Sequence, residues 1–237
     1  MNKMKVDLFF CGDSFTYGAE LQGLEEDHEK REKQRFSTLV SDKLGMTHDN
    51  VSKNGACNDW IVKTVVDWFE SGNECHTAFI QFSGYRRWGW YDKKRKYHFM
   101  PEGRWDDANH HYLKTEEQRN AFKTYDQLLY SEETHLDNYW KNKFFLVNYL
   151  KDKCKVHFMT LRKVPYGKEK NYKTNYWYNL VKNIEITELS SLVDKQLAPR
   201  LNETNLRGGH PSPQGHEQIA NYLIGLYSMG SPQNSGS

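Results

Sequence analysis

The stretch Met4–Tyr17, MKVDLFFCGDSFTY, constrains this chain more than any other. Val6, Leu8, Phe9 and Phe10 form an apolar run of strand length and strand composition. The run stops at Cys11-Gly12-Asp13-Ser14, and Phe15 to Glu20 then opens a helix or a loop. A strand ending this way leaves Ser14 at the carboxyl edge of a sheet, where open α/β folds place their sites. Gly12 permits a tight turn that a residue with a Cβ would resist. From that turn Ser14 can present its hydroxyl and its backbone N–H to one cleft. Taken alone, Gly-Asp-Ser is also an ordinary ending for a buried strand.

The far end of the chain supplies a partner. Gly208-Gly209-His210-Pro211-Ser212-Pro213-Gln214-Gly215-His216 precedes Ile219, Ala220, Tyr222, Leu223 and Leu226 at helical spacing. A serine hydroxyl is a poor nucleophile at neutral pH and needs a base within hydrogen-bond reach. His210 is the candidate, because a loop before the last helix would sit at the same sheet edge as Ser14. His216 is the competitor. Together the two stretches resemble the SGNH (GDSL) hydrolase family, and the resemblance implies that Ser14 is the nucleophile and His210 the base. It gives His216 a structural role at the helix start. A third stretch, Asn54-Gly55-Ala56-Cys57-Asn58-Asp59, lies where that family carries its oxyanion-hole glycine. The resemblance therefore implies an oxyanion hole built from the amides of Ser14 and Gly55. Asn58 is either a further donor or the cap of the helix that follows. The matching stretches run from residue 5 to residue 227. The implied fold is a three-layer α/β/α sandwich with a doubly wound, mainly parallel, flavodoxin-like sheet. The implied reaction is hydrolysis of a carboxylic ester through an acyl-serine intermediate.

Two departures from the family pattern bear on that chemistry. Where the family has an asparagine after the third strand, this chain has Phe82-Ser83-Gly84-Tyr85-Arg86-Arg87. Either Ser83 or Arg86 replaces the third oxyanion donor, or that donor is missing. Where the family has an aspartate three residues before its histidine, this chain has Arg207. A cation cannot steady an imidazolium, so His210 is oriented by a backbone carbonyl, as in a catalytic dyad, or by Glu203 or another acid.

Between these motifs strand and helix alternate. Glu25–Arg35 mixes acidic and basic residues and reads as a solvated loop and helix start. Phe36, Leu39, Val40 and Leu44 form a helical stripe ending at Gly45, and Asp49–Ser52 is a weak second strand. Asn58 opens a helix with Ile61, Val62, Val65, Val66 and Phe69 inward, ending near Gly72. Thr77–Phe82 and Lys155–Leu161 are the third and fourth strands. Helices between parallel strands indicate a doubly wound sheet.

Residues 85–114 break the rhythm. They hold Trp88, Trp90, Tyr91, Tyr97, Phe99 and Trp105 without a clean period, and six basic residues stand against Asp92 up to Tyr97. Residues 115–151 look largely helical. Long irregular insertions in compact domains are usually functional or disordered, and these aromatics argue against disorder. The insertion is either a self-packed surface loop or a substrate-contacting one. On the second reading Asp13, Arg86, Trp88 and Trp90 contact substrate, and the rings suit a carbohydrate ester such as an O-acetyl sugar. A lipid or thioester hydrolase is an alternative, as is a catalytically degenerate fold that binds glycans or polyanions.

Composition sets the outer bounds. The 237 residues suffice for a single large domain, residues 1–228, with the insertion at about 85–114 and a flexible tail at 229–237. A net charge of +2 makes no case for nucleic acid, so the expected partner is a small-molecule or glycan ester. Aromatics reach 14% although mean hydropathy is −0.90, so some rings line a surface or cleft. Cys11, Cys57, Cys75 and Cys154 lack metal-ligand spacing, and a reduced protein is the simpler reading. Asp106, Asp107, His110 and His111 have no ligand framework around them, and neither a metal nor a cofactor is expected. No stretch reaches membrane-spanning length, and Asp7 interrupts the only signal-like run. The expected location is cytoplasmic, or released without a signal peptide.

Overall fold

A computed structural model describes residues 3–19, 21, 27–91, 97–100, 113, 115–161, 175–193 and 210–229. Among them, strand β1 spans Lys5–Cys11 and runs directly into the one-turn helix α1, Ser14–Tyr17. Helices α2 (His28–Gln34) and α3 (Phe36–Leu44) lead to β2 (His48–Asn50), and α4 (Asn58–Glu70) leads to β3 (Glu74–Phe82). A hairpin of β4 (Trp88–Tyr91) and β5 (Tyr97–Met100) follows, then α5 (Glu116–Leu128) and α6 (Glu132–Leu150). The chain continues through β6 (Lys155–Thr160), α7 (Tyr176–Val181), β7 (Ile186–Glu188), α8 (Leu189–Leu192) and α9 (Pro213–Met229).

Five strands form one parallel sheet in the order β2-β1-β3-β6-β7. The chain steps from β1 outward to β2, then returns to place β3 on the other side of β1. That reversal sends α3 to one face and α4 to the other. Alternation along β1 and β3 feeds both faces, as strand geometry requires. Leu8, Phe10 and Phe79 pack with Phe36, Val40, Ile219 and Leu223 beneath α3 and α9. Phe9, Cys11, Ala78, Ile80 and Phe82 pack with Ile61, Val65, Tyr139 and Leu146 beneath α4 and α6. The expected three-layer, doubly wound α/β sandwich is the observed fold.

Three local differences from the sequence reading have physical causes. The insertion is not wholly irregular, since β4 and β5 pair antiparallel with Trp88 opposite Met100. β7 is only three residues long and escaped the strand pattern, although Ile184 and Ile186 both pack on the core. The charged run Glu25–Arg35 contains α2, which buries Arg31 rather than leaving its whole face in water. Arg31 lies over the Tyr17 ring, its guanidinium carbon 4.2 Å from the centroid. The acidic and histidine residues at 106–111, most of residues 92–114, and the tail from 230 lie outside the described residues.

Candidate active site

Ligand crevices in open α/β sheets form beyond the strand carboxyl ends where strand order reverses. Here that point lies between β1 and β3. Ser14 follows β1 and Ser83 follows β3, so both border it.

Ser14 sits at the start of α1. Asp13 is the N-cap, and its Oδ1 accepts the Phe15 N–H at 3.1 Å. Gly18 closes the turn in the left-handed conformation at φ 79°. Two strand-end side chains hold the turn from outside. From β3, Gln81 Nε2 donates to Asp13 Oδ1 at 2.6 Å, while its Oε1 accepts from the Thr16 N–H at 3.1 Å and from the Thr16 hydroxyl. From β2, Asn50 Nδ2 donates to the Thr16 carbonyl at 2.9 Å.

Gly12 makes room for this clamp. A Cβ built there would lie 2.7 Å from Gln81 Cβ and 2.7 Å from Thr16 Oγ1. The demand on Gly12 is therefore close approach, alongside the tight turn read from the sequence. Gly12→Ala is expected to displace Gln81 and cost about 1–3 kcal/mol of stability, read as a lowered urea midpoint. An unchanged midpoint would show that the clamp can shift freely.

Ser14 is buried, and its Oγ makes no hydrogen bond. His210 stands beside the turn, its ring centroid 5.3 Å from that of Phe15. The structure thus brings the serine and the histidine to one edge without a hydrogen bond from Ser14 Oγ to His210. Such bonds are often loose before substrate binds. The chain before His210, including Glu203 and Arg207, lies outside the described residues. After His210, Ser212 Oγ accepts the Gly215 N–H at 3.2 Å, and Pro213 takes the first helical position of α9.

His216 is placed quite differently. It is wholly buried in α9, stacked on Phe36 at 5.6 Å, and its Nδ1 accepts the Phe36 N–H at 3.2 Å. That bond leaves the ring proton on Nε2, which is buried without a partner. Burial, and then the neighbouring His210, push its pKa down to about 3. A neutral ring holding the start of α3 is scaffold.

The remaining candidates gather around the same edge. Gly55 lies in the loop after β2 at φ 78°, a backbone state that a side chain would strain. The Lys53 N–H donates to the Gly12 carbonyl at 3.2 Å, which ties that loop to the Ser14 turn. Asn58 does not cap α4. Cys57 holds the N-cap position, and the Asn58 side chain crosses to the residue just after β3. There it accepts the Ser83 N–H at 2.8 Å and donates to the Ser83 carbonyl at 3.2 Å. Ser83 Oγ remains buried without a hydrogen bond.

The four expected substrate contacts fare unequally. Asp13 is enclosed, with both carboxylate oxygens used inside the protein. Arg86 is drawn to Glu132 at 3.0 Å, where the Tyr85 hydroxyl also donates. Trp88 is half-buried against α5, 5.8 Å from Phe122 and 5.0 Å from Tyr125, and Trp90 lies 5.0 Å from Trp88. These rings form a satellite cluster with Leu113.

Sequence reasoning passed over Gln81, Asn50 and Arg87. The available signal was a polar residue in an apolar strand end, Gln81 in TAFIQF.

The sheet and its two helical layers have a fold shared with solved esterases and an alpha/beta hydrolase. Among solved structures, the psychrotrophic esterase EstA from Pseudoalteromonas sp. matches at TM-score 0.52 and 11% identity, over 94% of this chain and 97% of that one. LAE5, an alpha/beta hydrolase from the metagenome of Lake Arreo, matches at TM-score 0.50 and 11% identity, over 98% and 99%. A family 2 carbohydrate esterase with a carbohydrate-binding domain from Corynascus matches at TM-score 0.50 and 12% identity, over 96% of this chain and 66% of that one. Neither the protein-family models nor the curated proteins contain a match. The likeness is one of fold. No helix among the described residues is long and apolar enough to cross a membrane, and no cluster there could hold a metal ion.

Proposed function

We propose that this protein is a serine hydrolase that cleaves carboxylic esters through an acyl-serine intermediate, and that its substrate is an O-acetylated carbohydrate. The observation that carries the reading is the Ser14 hydroxyl. It is buried and unbonded, on a turn held by the Gln81–Asp13–Thr16 clamp at the point where strand order reverses.

In this mechanism His210 takes the Ser14 proton as Oγ attacks the ester carbon. The carbonyl oxygen gains negative charge, for which the amides of Ser14 and Gly55 are the donors. Ser83 is the third donor. Its amide is already committed to Asn58, so the hydroxyl makes the contact. His210 then returns the proton to the leaving alcohol, and water releases the acyl group by the same route reversed. Reaction of Ser14 with a fluorophosphonate, located by peptide mapping, is the direct test. Absence of labelling at Ser14 would remove the mechanism.

The carbohydrate assignment draws on the fold shared with the Corynascus esterase and on the rings of the hairpin. Trp88 and Trp90 predict a divided outcome. Trp88→Ala, at the centre of the satellite cluster, is expected to lower the melting temperature and slow large and small esters alike. Trp90→Ala is expected to raise KM for an acetylated glycan several-fold while sparing p-nitrophenyl acetate. Equal effects of Trp90→Ala on both esters would make the hairpin scaffold alone. Falling turnover with longer acyl chains separates an acetylesterase from a lipid or thioester hydrolase.

A second reading is a degenerate fold that binds glycans or polyanions without turnover. It is favoured by the absent bond from Ser14 Oγ to His210 and by the missing family aspartate. Turnover of p-nitrophenyl acetate separates the two.

A further inference from the structure

The structure assigns a role to Arg87 that the sequence reading gave to no residue. We propose that Arg87 is a positioning residue for the nucleophile, acting through the carboxylate of Asp13. The inference rests on the esterase reading above.

Asp13 is fully buried and directly precedes Ser14. A carboxylate taken from water this completely needs both a counter-charge and hydrogen bonds to its oxygens. Three parts of the fold supply them. The Phe15 N–H and Gln81 Nε2 share Oδ1, and Arg87 Nη1 reaches Oδ2 at 2.9 Å. Arg87 is the only cation paired with Asp13 among the described residues. It comes from the turn after β3, fixed where its own N–H donates to the Gly84 carbonyl at 3.0 Å.

Its neighbour shows that the arrangement is specific. Arg86 is the same residue type one position earlier, yet Glu132 holds it away on α6. The turn therefore sorts two adjacent arginines, one to Glu132 on α6 and one to Asp13 beside Ser14.

The pairing matters for catalysis because of where charge develops. Attack by Ser14 creates an oxyanion beside the Ser14 amide, one residue from Asp13. An uncompensated carboxylate there would oppose that charge in a site with little water to screen it. The Arg87 guanidinium cancels it. It also fixes Asp13 as the cap of α1, and with it the orientation of Ser14. Arg87 need not touch substrate for either effect. Its loss should act on the chemical step rather than on binding.

The test is a double-mutant cycle on p-nitrophenyl acetate with Arg87→Met, Asp13→Asn and the double variant, accompanied by Arg87→Lys. Arg87→Met is expected to lower kcat at least about tenfold with KM within about twofold. Arg87→Lys should restore most of the loss, since it returns the charge. The double variant should turn over faster than Arg87→Met alone, because removing the carboxylate removes what the cation was compensating. Fluorophosphonate labelling rates of Ser14 should follow the same order. If Arg87→Met keeps wild-type kcat, or if the double variant is slower than Arg87→Met, the proposal is overturned. A variant that merely folds badly would lose melting temperature and active-site titre together, without rescue by the double change, and that result also overturns it. Failure of the esterase reading looks different: the wild-type protein itself would show neither turnover nor labelling.

Discussion

Ester turnover by the Ser14→Ala protein is expected to fall by roughly four to six orders of magnitude, with the melting temperature nearly unchanged. The removed hydroxyl makes no hydrogen bond, so no buried partner is orphaned by its loss. The turn is held instead by Asp13, Thr16, Gln81 and Asn50, none of which uses Ser14 Oγ. His210→Ala is expected to lose nearly as much, and the double variant little more. A nucleophile and its base act as one unit, so their contributions do not add. Steady-state kinetics on p-nitrophenyl acetate, run beside thermal melts, checks both. Undiminished turnover in a clean Ser14→Ala preparation would sink the mechanism. A dead His216→Ala protein beside an active His210→Ala protein would reverse the assignment of the base.

The second large effect is on stability in acid, and it comes from His216. In the folded protein its pKa is pushed from 6.5 down to about 3. The unfolded chain therefore binds a proton as pH falls below about 6.5, while the folded chain does not until near 3. The unfolded state is the one favoured across that window. Stability is at its full value above pH 6.5 and declines steadily as the pH drops toward 3. At about 1.4 kcal/mol per pH unit, the loss from this one ring approaches roughly 5 kcal/mol, a large part of a typical domain's stability. Burial also pushes down the pKa of His48, His135 and His157, which adds to the trend. The contribution of His216 is isolated by comparison with His216→Leu. That variant is expected to lose about 1–3 kcal/mol at pH 7.5, because the Phe36 N–H is left unpaired. Its stability should then fall less steeply toward pH 4. Parallel slopes for the two proteins in urea titrations at stepped pH would contradict the assignment.

The two histidines show how location gives one side-chain chemistry two settings. Both lie within seven residues of sequence, HPSPQGH. His210 precedes the helix at the sheet edge and lies beside Phe15. His216 is one turn into α9, where the helix face turns it onto Phe36 and the core. Only the second is sealed in the core; the first is partly exposed at the edge that holds Ser14.

Much of the fold was legible because it is written in local pattern. The apolar run before Gly12, the stripes of α3 and α4, and the strand TAFIQF each carry their own period. The order of strands and helices then admits few topologies, and the parallel doubly wound sheet is the one found. Gly12 was legible as a demand for a bare backbone, and Ser14 and His210 as residues that the fold brings to one sheet edge.

What the sequence could not decide is the partner of each polar side chain, because such partners are distant in the chain. Gln81 reaches Asp13 across 68 positions, Arg87 across 74, and Asn58 leaves its expected cap to grip Ser83. Composition cannot tell Arg86 from Arg87, since the difference is the direction each takes from one turn. The rings of Trp88 and Trp90 read in sequence either as a self-packed loop or as a sugar platform, and only the folded protein shows that they pack on α5, whose Phe122 and Tyr125 lie more than thirty residues on. Hydrophobic periodicity fixes which face of an element is buried. Only the packed structure fixes which buried polar atoms find one another, and that pairing sets the charge around Ser14.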